Sequence, residues 1–132
     1  MFKKFIDWMH SKKRIDSKER AETVIKEREV YWCSLGENIG DEENGKGTVF
    51  RRPVLIFKKF NNRIFWGIPM STKNKVNIYY LKVKLRDMEQ SVMLSQLRIL
   101  DTKRLDTKIG YLSEGDFIKI QNSIMDIIKN KR

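Results

Sequence analysis

From Glu29 to Leu100 the chain is written in short runs of aromatic and β-branched residues, none long enough or periodic enough to make a helix. Val30 to Leu35, Val54 to Phe57, Arg63 to Met70 and Val76 to Leu85 read as strands, the last with Val83 and Leu85 alternating against Lys82 and Lys84. Ser91 to Leu94 and Leu97 to Leu100 read as two more, and Asp101 to Leu105 as a turn of helix. Asn61-Asn62 marks a hairpin between the second and third strands. Between the first two strands, residues 36 to 47 hold four glycines among clustered Asn and Asp, a composition that sustains neither strand nor helix. That stretch is expected to be a long mobile loop, and loops of such length in compact domains tend to be functional. Many short strands and one closing helix point to a small, strongly bent β-barrel.

Helices are expected at the two ends. Phe2, Phe5, Ile6 and Met9 recur at the spacing of one helical face. Asp16 and Glu19 resemble a capping box that would open a second helix through Ala21, Val24 and Ile25. At the other end Ser113 caps a helix whose stripe is Phe117, Ile120, Ile124, Ile127 and Ile128, with Lys129, Lys131 and Arg132 where the helix dipole favours cations. The expected division is a helical extension over residues 1–28 and a barrel domain over 29–132.

The 132 residues carry a formal net charge of +11. From Arg51 through Arg86 there is no Asp or Glu, whereas Arg51, Arg52, Lys58, Lys59, Arg63, Lys73, Lys75, Lys82, Lys84 and Arg86 are cationic. Such a field attracts polyanions, nucleic acid first among them. Cys33 is the single cysteine, set in the apolar run Val30-Tyr31-Trp32-Cys33, so it reads as buried filler in a reducing compartment. No stretch is apolar enough to span a membrane, and Asp7 and His10 interrupt the N-terminal segment where a signal peptide needs its apolar core. A cytoplasmic location is expected.

Several chemistries drop out. The single histidine, His10, lies in the N-terminal extension, which disfavours Ser–His and Cys–His nucleophile pairs. One Cys and one His make no zinc site of the usual N/S type, and neither a phosphate-binding P-loop nor a dinucleotide fingerprint occurs. Asp41-Glu42-Glu43 has the charge for Mg²⁺, but on a glycine-rich loop it reads as solvated. No cofactor is expected. Arg52, at the mouth of the run Arg52-Pro53-Val54-Leu55-Ile56, and the hydroxyls that end Ile68-Pro69-Met70-Ser71-Thr72 suit a phosphodiester. RNA supplies its own 2′-hydroxyl nucleophile, so a metal-free protein needs to position the strand, neutralise the phosphoryl oxygens and move protons. A carboxylate such as Glu42 suits the 2′-proton. The same residues also allow a plainer reading: Arg52 in a surface ion pair and Ser71-Thr72 simply ending a strand.

Taken in order, six motifs resemble the PemK/MazF family of toxin endoribonucleases from bacterial toxin–antitoxin pairs. They are Val30-Tyr31-Trp32, Gly40-x-Glu42, Arg52-Pro53-Val54-Leu55, Pro69-Met70-Ser71-Thr72, the stretch Ser91 to Arg98, and Asp101-x-x-Arg104-Leu105 followed by Gly110 and the last helix. The resemblance implies an SH3-like barrel, a homodimer, metal-independent cleavage of single-stranded RNA at short sequences, and an antitoxin partner. By the same resemblance, the essential arginine falls on Arg52 and the hydroxyl residue on Ser71 with Thr72 beside it, leaving open which of the two meets the phosphate. The loop glutamate falls on Glu42, and the Gln-x-Arg strand supplies Gln96 and Arg98. The RNA path expected around this centre also takes in Asn38, Lys46, Arg51, Lys73 and Lys75. Because related barrels poison gyrase, fold alone leaves a protein-targeting toxin and a non-catalytic nucleic-acid binder open.

Overall fold

The run Val54-Leu55-Ile56-Phe57 is apolar without interruption because its strand is covered on both faces. Side chains alternate across a strand, so Val54 and Ile56 enter one cluster with Ile25, Tyr31, Cys33, Leu35, Phe65, Leu100 and Leu105. Leu55 and Phe57 face the other way, into a cluster with Val30, Ile68, Met70, Leu85, Val92 and the C-terminal helix. The computed structural model describes residues 4–20, 23–47, 50–73 and 77–130. The expectations placed on Phe2, Ala21, Lys75, Val76, Lys131 and Arg132 lie outside them.

In chain order the elements are α1 (Phe5–Ser17), β1 (Glu29–Ser34), β2 (Arg51–Lys59), β3 (Ile64–Ser71), β4 (Tyr80–Leu85), β5 (Met88–Met93), β6 (Arg98–Asp101), β7 (Leu105–Tyr111) and α2 (Glu114–Ile128). Single 3₁₀ turns at Leu94–Gln96 and Thr102–Arg104 flank β6. All pairings are antiparallel, in the order β4-β5-β3-β2-β1-β7, with β6 also on β3. Strand β3 changes neighbour along its length: Ile64 to Gly67 pair with β6, and Met70 and Ser71 pair with β5. That change of partner bends the sheet. The side chain of Leu85 at the end of β4 packs against Gly110 of β7, so the two edges converge, although no ladder hydrogen bonds join them among the described residues. The result is the expected barrel-like sheet with a C-terminal helix and an N-terminal helix.

Helix α2 closes one mouth. Ser113 Oγ accepts from the Asp116 amide at 3.1 Å, and Phe117, Ile120 and Ile124 are buried beneath the helix. Each such side chain contributes about 1.5–3 kcal/mol when removed from water. Ile128, expected in the same stripe, is exposed at the end of the helix's last turn.

The N-terminal segment departs from expectation. Among its described residues one helix forms, and Asp16 sits in the last turn of that helix instead of capping a second. Arg20 is tied to Asp101 by two 3.0 Å contacts, Ile25 is fully buried, and residues 23–26 are not helical. The buried face of α1 is Trp8 and Ser11, while Phe5, Ile6 and Met9 are exposed. The barrel offers a socket for one large ring, and that outweighs the count of apolar residues on the opposite face.

Candidate functional site

Strands β2 and β3 lie side by side with Val54 opposite Pro69, which brings the start of one beside the end of the other. Arg52, Ser71 and Thr72 therefore meet, lining a groove of about 380 Å³ with Trp32, Lys46, Arg51, Pro53 and Met70. Trp32 is the outward member of β1, whose neighbours Tyr31 and Cys33 point into the core. Its ring is 41 % exposed, presenting an aromatic face in an otherwise basic groove.

Arg52 is not an open surface fork. Its side chain is 7 % exposed, and Nη2 stands 2.7 Å from Glu43 Oε1. Nε donates to the Asn44 carbonyl at 2.9 Å, and Nη1 makes a longer 3.5 Å contact with the Met70 carbonyl. A guanidinium has five N–H donors, so two remain beyond these three contacts. Ser71 is buried at the groove floor, where its Oγ accepts from the Lys73 amide at 3.2 Å and keeps its own proton to donate. Thr72 and Lys73 are exposed at the rim.

The other expected residues lie around the corner. Asn38, Glu42, Gln96 and Arg98 line a second cavity with Asp41, Glu43, Ser95 and Leu97. Glu42 Oε1 accepts from the Ile39 amide at 2.9 Å, inside its own turn. Gln96 Oε1 accepts from the Glu43 amide at 3.0 Å, and its Nε2 donates to the Asp41 carbonyl at 3.2 Å. Asn38 Nδ2 donates to the carbonyls of Leu35 and Glu43 at 2.9 and 2.8 Å. The loop expected to be loose is thus stapled from within by Asn38 and from without by Gln96. Of the acidic triplet read as solvated, Glu43 is instead half-buried against Arg52. The positions of Glu43 and Trp32 at the site were missed: nothing in Asp41-Glu42-Glu43 says which carboxylate turns inward, and the apolar run of β1 does not say that Trp32 is its exposed member.

Folding also tempers the basic field. Arg51 pairs with Asp106, Lys58 with Glu27, and Lys82 with Glu89, in addition to Arg52 with Glu43. The stretch without acids is neutralised in part by acids from elsewhere in the chain. Cys33 is fully buried, and burial pushes its thiol up to about 12, so it stays protonated and is no nucleophile. Arg104 has its pKa lowered, first by burial and then by nearby Arg98. Among the described residues, no group of three or more His, Cys, Asp or Glu side chains converges as a metal cage requires. No helix among them is long and apolar enough to cross a membrane.

Residues 26–128 match the model of a family described as the PemK-like, MazF-like toxin of type II toxin–antitoxin systems. The chain belongs to this family. A relative named endoribonuclease MazF, from Staphylococcus epidermidis, is 30 % identical over 112 residues, covering 76 % of this chain and 88 % of that protein. Crystallographic MazF from Deinococcus radiodurans superposes with a TM-score of 0.67 at 14 % identity, over 82 % of this chain and 99 % of that one. A mycobacterial endoribonuclease solved with its cognate antitoxin gives 0.63 at 14 % identity, over 80 % and 96 %. These structures share the PemK/MazF fold with this chain. The family match begins at residue 26, beyond the end of α1.

Proposed function

We propose that this protein is the toxin of a type II pair and an endoribonuclease that cuts single-stranded RNA without a metal ion. The observation that carries the reading is the juxtaposition of Arg52, Ser71 and Thr72 in one groove with Trp32 and Lys46. Trp32 offers a base a stacking surface, and Lys46 and Lys73 meet the backbone. With a phosphate above Arg52, its remaining N–H donors and the Ser71 and Thr72 hydroxyls face the two non-bridging oxygens, where charge builds as the 2′-oxygen attacks. The 2′-O–P bond forms, the P–O5′ bond breaks, and the products are a 2′,3′-cyclic phosphate and a 5′-hydroxyl. A loop carboxylate takes the 2′-proton, and the departing 5′-oxygen takes a proton from water. Glu43, already hydrogen-bonded to Arg52, joins Glu42 as a candidate for that role.

The family and its antitoxin-bound relative support a cognate antitoxin as partner, and family habit supports a homodimer in the cytoplasm. A barrel domain over 29–132 would carry the chemistry and the N-terminal extension would serve it. The test is to incubate purified protein with single-stranded RNA in excess EDTA and weigh the fragments. Cyclic phosphate ends are expected. A 3′-hydroxyl with a 5′-phosphate would indicate metal-assisted hydrolysis, and retention of intact RNA a binder without catalysis.

A further inference from the structure

We infer that Trp8, on the helix ahead of the matched family region, is a positioning residue for the cleavage centre, holding the neck of the 36–47 loop. The inference rests on the ribonuclease reading above. The Trp8 indole is 6 % exposed, and its centroid lies 5.5 Å from that of Phe50. Arg104 lies over the same ring at 5.8 Å and is itself anchored to the Ser34 carbonyl at 3.0 Å. The ring rests on Gly36: a methyl added there would come within 1.9 Å of Trp8 Cε2. No residue but glycine leaves room for it.

Gly36 and Phe50 are the two posts of the loop. The Leu35 and Gly36 amides both donate to the Phe50 carbonyl, at 2.9 and 3.3 Å. The Gly45 amide donates to the Gly36 carbonyl at 2.8 Å, so the returning strand of the loop is pinned to the same point. Both posts have left-handed backbone, φ 77° at Gly36 and 57° at Phe50. For a bulky residue such as Phe50 that conformation persists only where surrounding contacts enforce it, and the Trp8 ring supplies one of those contacts.

What the neck presents is the cleavage centre's inner wall. Glu43 and Asn44, on the loop just before Gly45, are the partners that hold the Arg52 guanidinium. Lys46, one residue beyond Gly45, borders the groove. Lys4, at the start of α1, borders a loop-side cavity shared with Glu37, Glu43 and Arg52. A rigid path therefore runs from Trp8 through Gly36 and Phe50 to Glu43, Asn44 and Arg52. Polar ties fix the far end of the helix on the barrel: Lys18 Nζ donates to the Lys103 carbonyl at 2.8 Å, and Lys103 Nζ to the Asp16 carbonyl at 2.9 Å. Truncating the ring would leave α1 attached while releasing the neck.

Full-length Trp8→Ala and Trp8→Phe are compared with wild type on a single-stranded RNA, each well below its own Tm. The alanine variant is expected to lose about 10–100-fold in kcat with little change in KM, since small misplacements of catalytic groups act on the chemical step. Phenylalanine should restore most of it. Amide exchange at Gly45 and Lys46 should quicken in the alanine variant and recover with phenylalanine. A lowered Tm with wild-type kcat and wild-type loop exchange would make Trp8 a mere helix anchor and overturn the inference. Should Trp8→Ala fail to fold, Trp8→Leu carries the test: it keeps an apolar side chain in the socket but takes the ring off Gly36 and Phe50, and is expected to speed exchange at the same two amides. If wild-type protein does not cut RNA, the ribonuclease reading fails, and unchanged exchange in the variants would separately refute the brace.

Discussion

Glu43 and Arg52 form an ion pair with side chains only 16 % and 7 % exposed, so the groove's central cation is held by a carboxylate from the loop above it. Removing the arginine alone strands that carboxylate out of water. We expect Arg52→Ala to cost roughly 3 kcal/mol of stability, the lower end for breaking a buried pair. Arg52→Ala/Glu43→Ala should regain part of that loss while cleavage stays reduced by about 10²–10³-fold, as when a transition-state donor is deleted. Urea melts and RNA cleavage on both variants check this. A double variant that is stable and cuts RNA at the wild-type rate would remove Arg52 from the chemistry.

Gln96 acts on the same pair from the other side. It accepts from the Glu43 amide and donates to the Asp41 carbonyl, joining the 3₁₀ turn after β5 to the loop. If it works by holding Glu43, Gln96→Ala should lower kcat by about tenfold with KM nearly unchanged, the signature of lost positioning. If it contacts RNA directly, KM rises instead. Steady-state kinetics on a short labelled RNA separate the two.

The sequence made the strands and α2 legible because β2 and β3 are continuous apolar runs and Ser113 with Asp116 spells a cap. Strand β7 went unread: apart from Leu105 it is an edge strand with little burial, so no alternation marks it. Arg86 and Asp87 close the β4–β5 hairpin with φ of 51° and 64°, a turn of the kind that Asn-Gly would have announced. That Arg52, Ser71 and Thr72 would lie close together could be read because each stands at the end of a strand that the core fixes. The identity of Arg52's partner could not, since a loop's inward residue depends on contacts from Asn38 and Gln96 that no local pattern encodes.

Burial of Cys33 gives the fold a basic limit. Its thiol is raised from 9.0 to about 12, so the folded state holds a proton that the unfolded chain releases. The stability this confers is fully present below pH 9 and is lost as pH rises through the folded value near 12. At pH 10, one unit above the unfolded pKa, the loss is roughly 1 kcal/mol relative to neutral pH. Tyr31, raised to about 12 by burial and by Glu29, adds a loss in the same direction above pH 10. Urea midpoints from pH 7 to 10.5 should fall for wild type and fall less for Cys33→Ala. An equal fall in both would show that the thiol contributes nothing.

RNA affinity should depend on salt less steeply than the unpaired sequence charge implies. Arg51, Arg52, Lys58 and Lys82 are each committed to an acid, so the sequence count overstates the cations a strand can meet; Lys46 on the groove wall, exposed Lys73 just past Thr72 and whatever share of Arg51 the phosphate can take from Asp106 are the three contacts counted. For a single strand, log K falls by about 0.7 per log unit of salt for each phosphate contact. Three contacts then give a loss of roughly 20-fold over a fourfold rise in salt. Fluorescence anisotropy with a non-cleavable 2′-deoxy substrate measures the slope. A slope near zero would mean that the groove does not bind phosphate. A slope several times steeper would mean that cations outside the groove carry the binding.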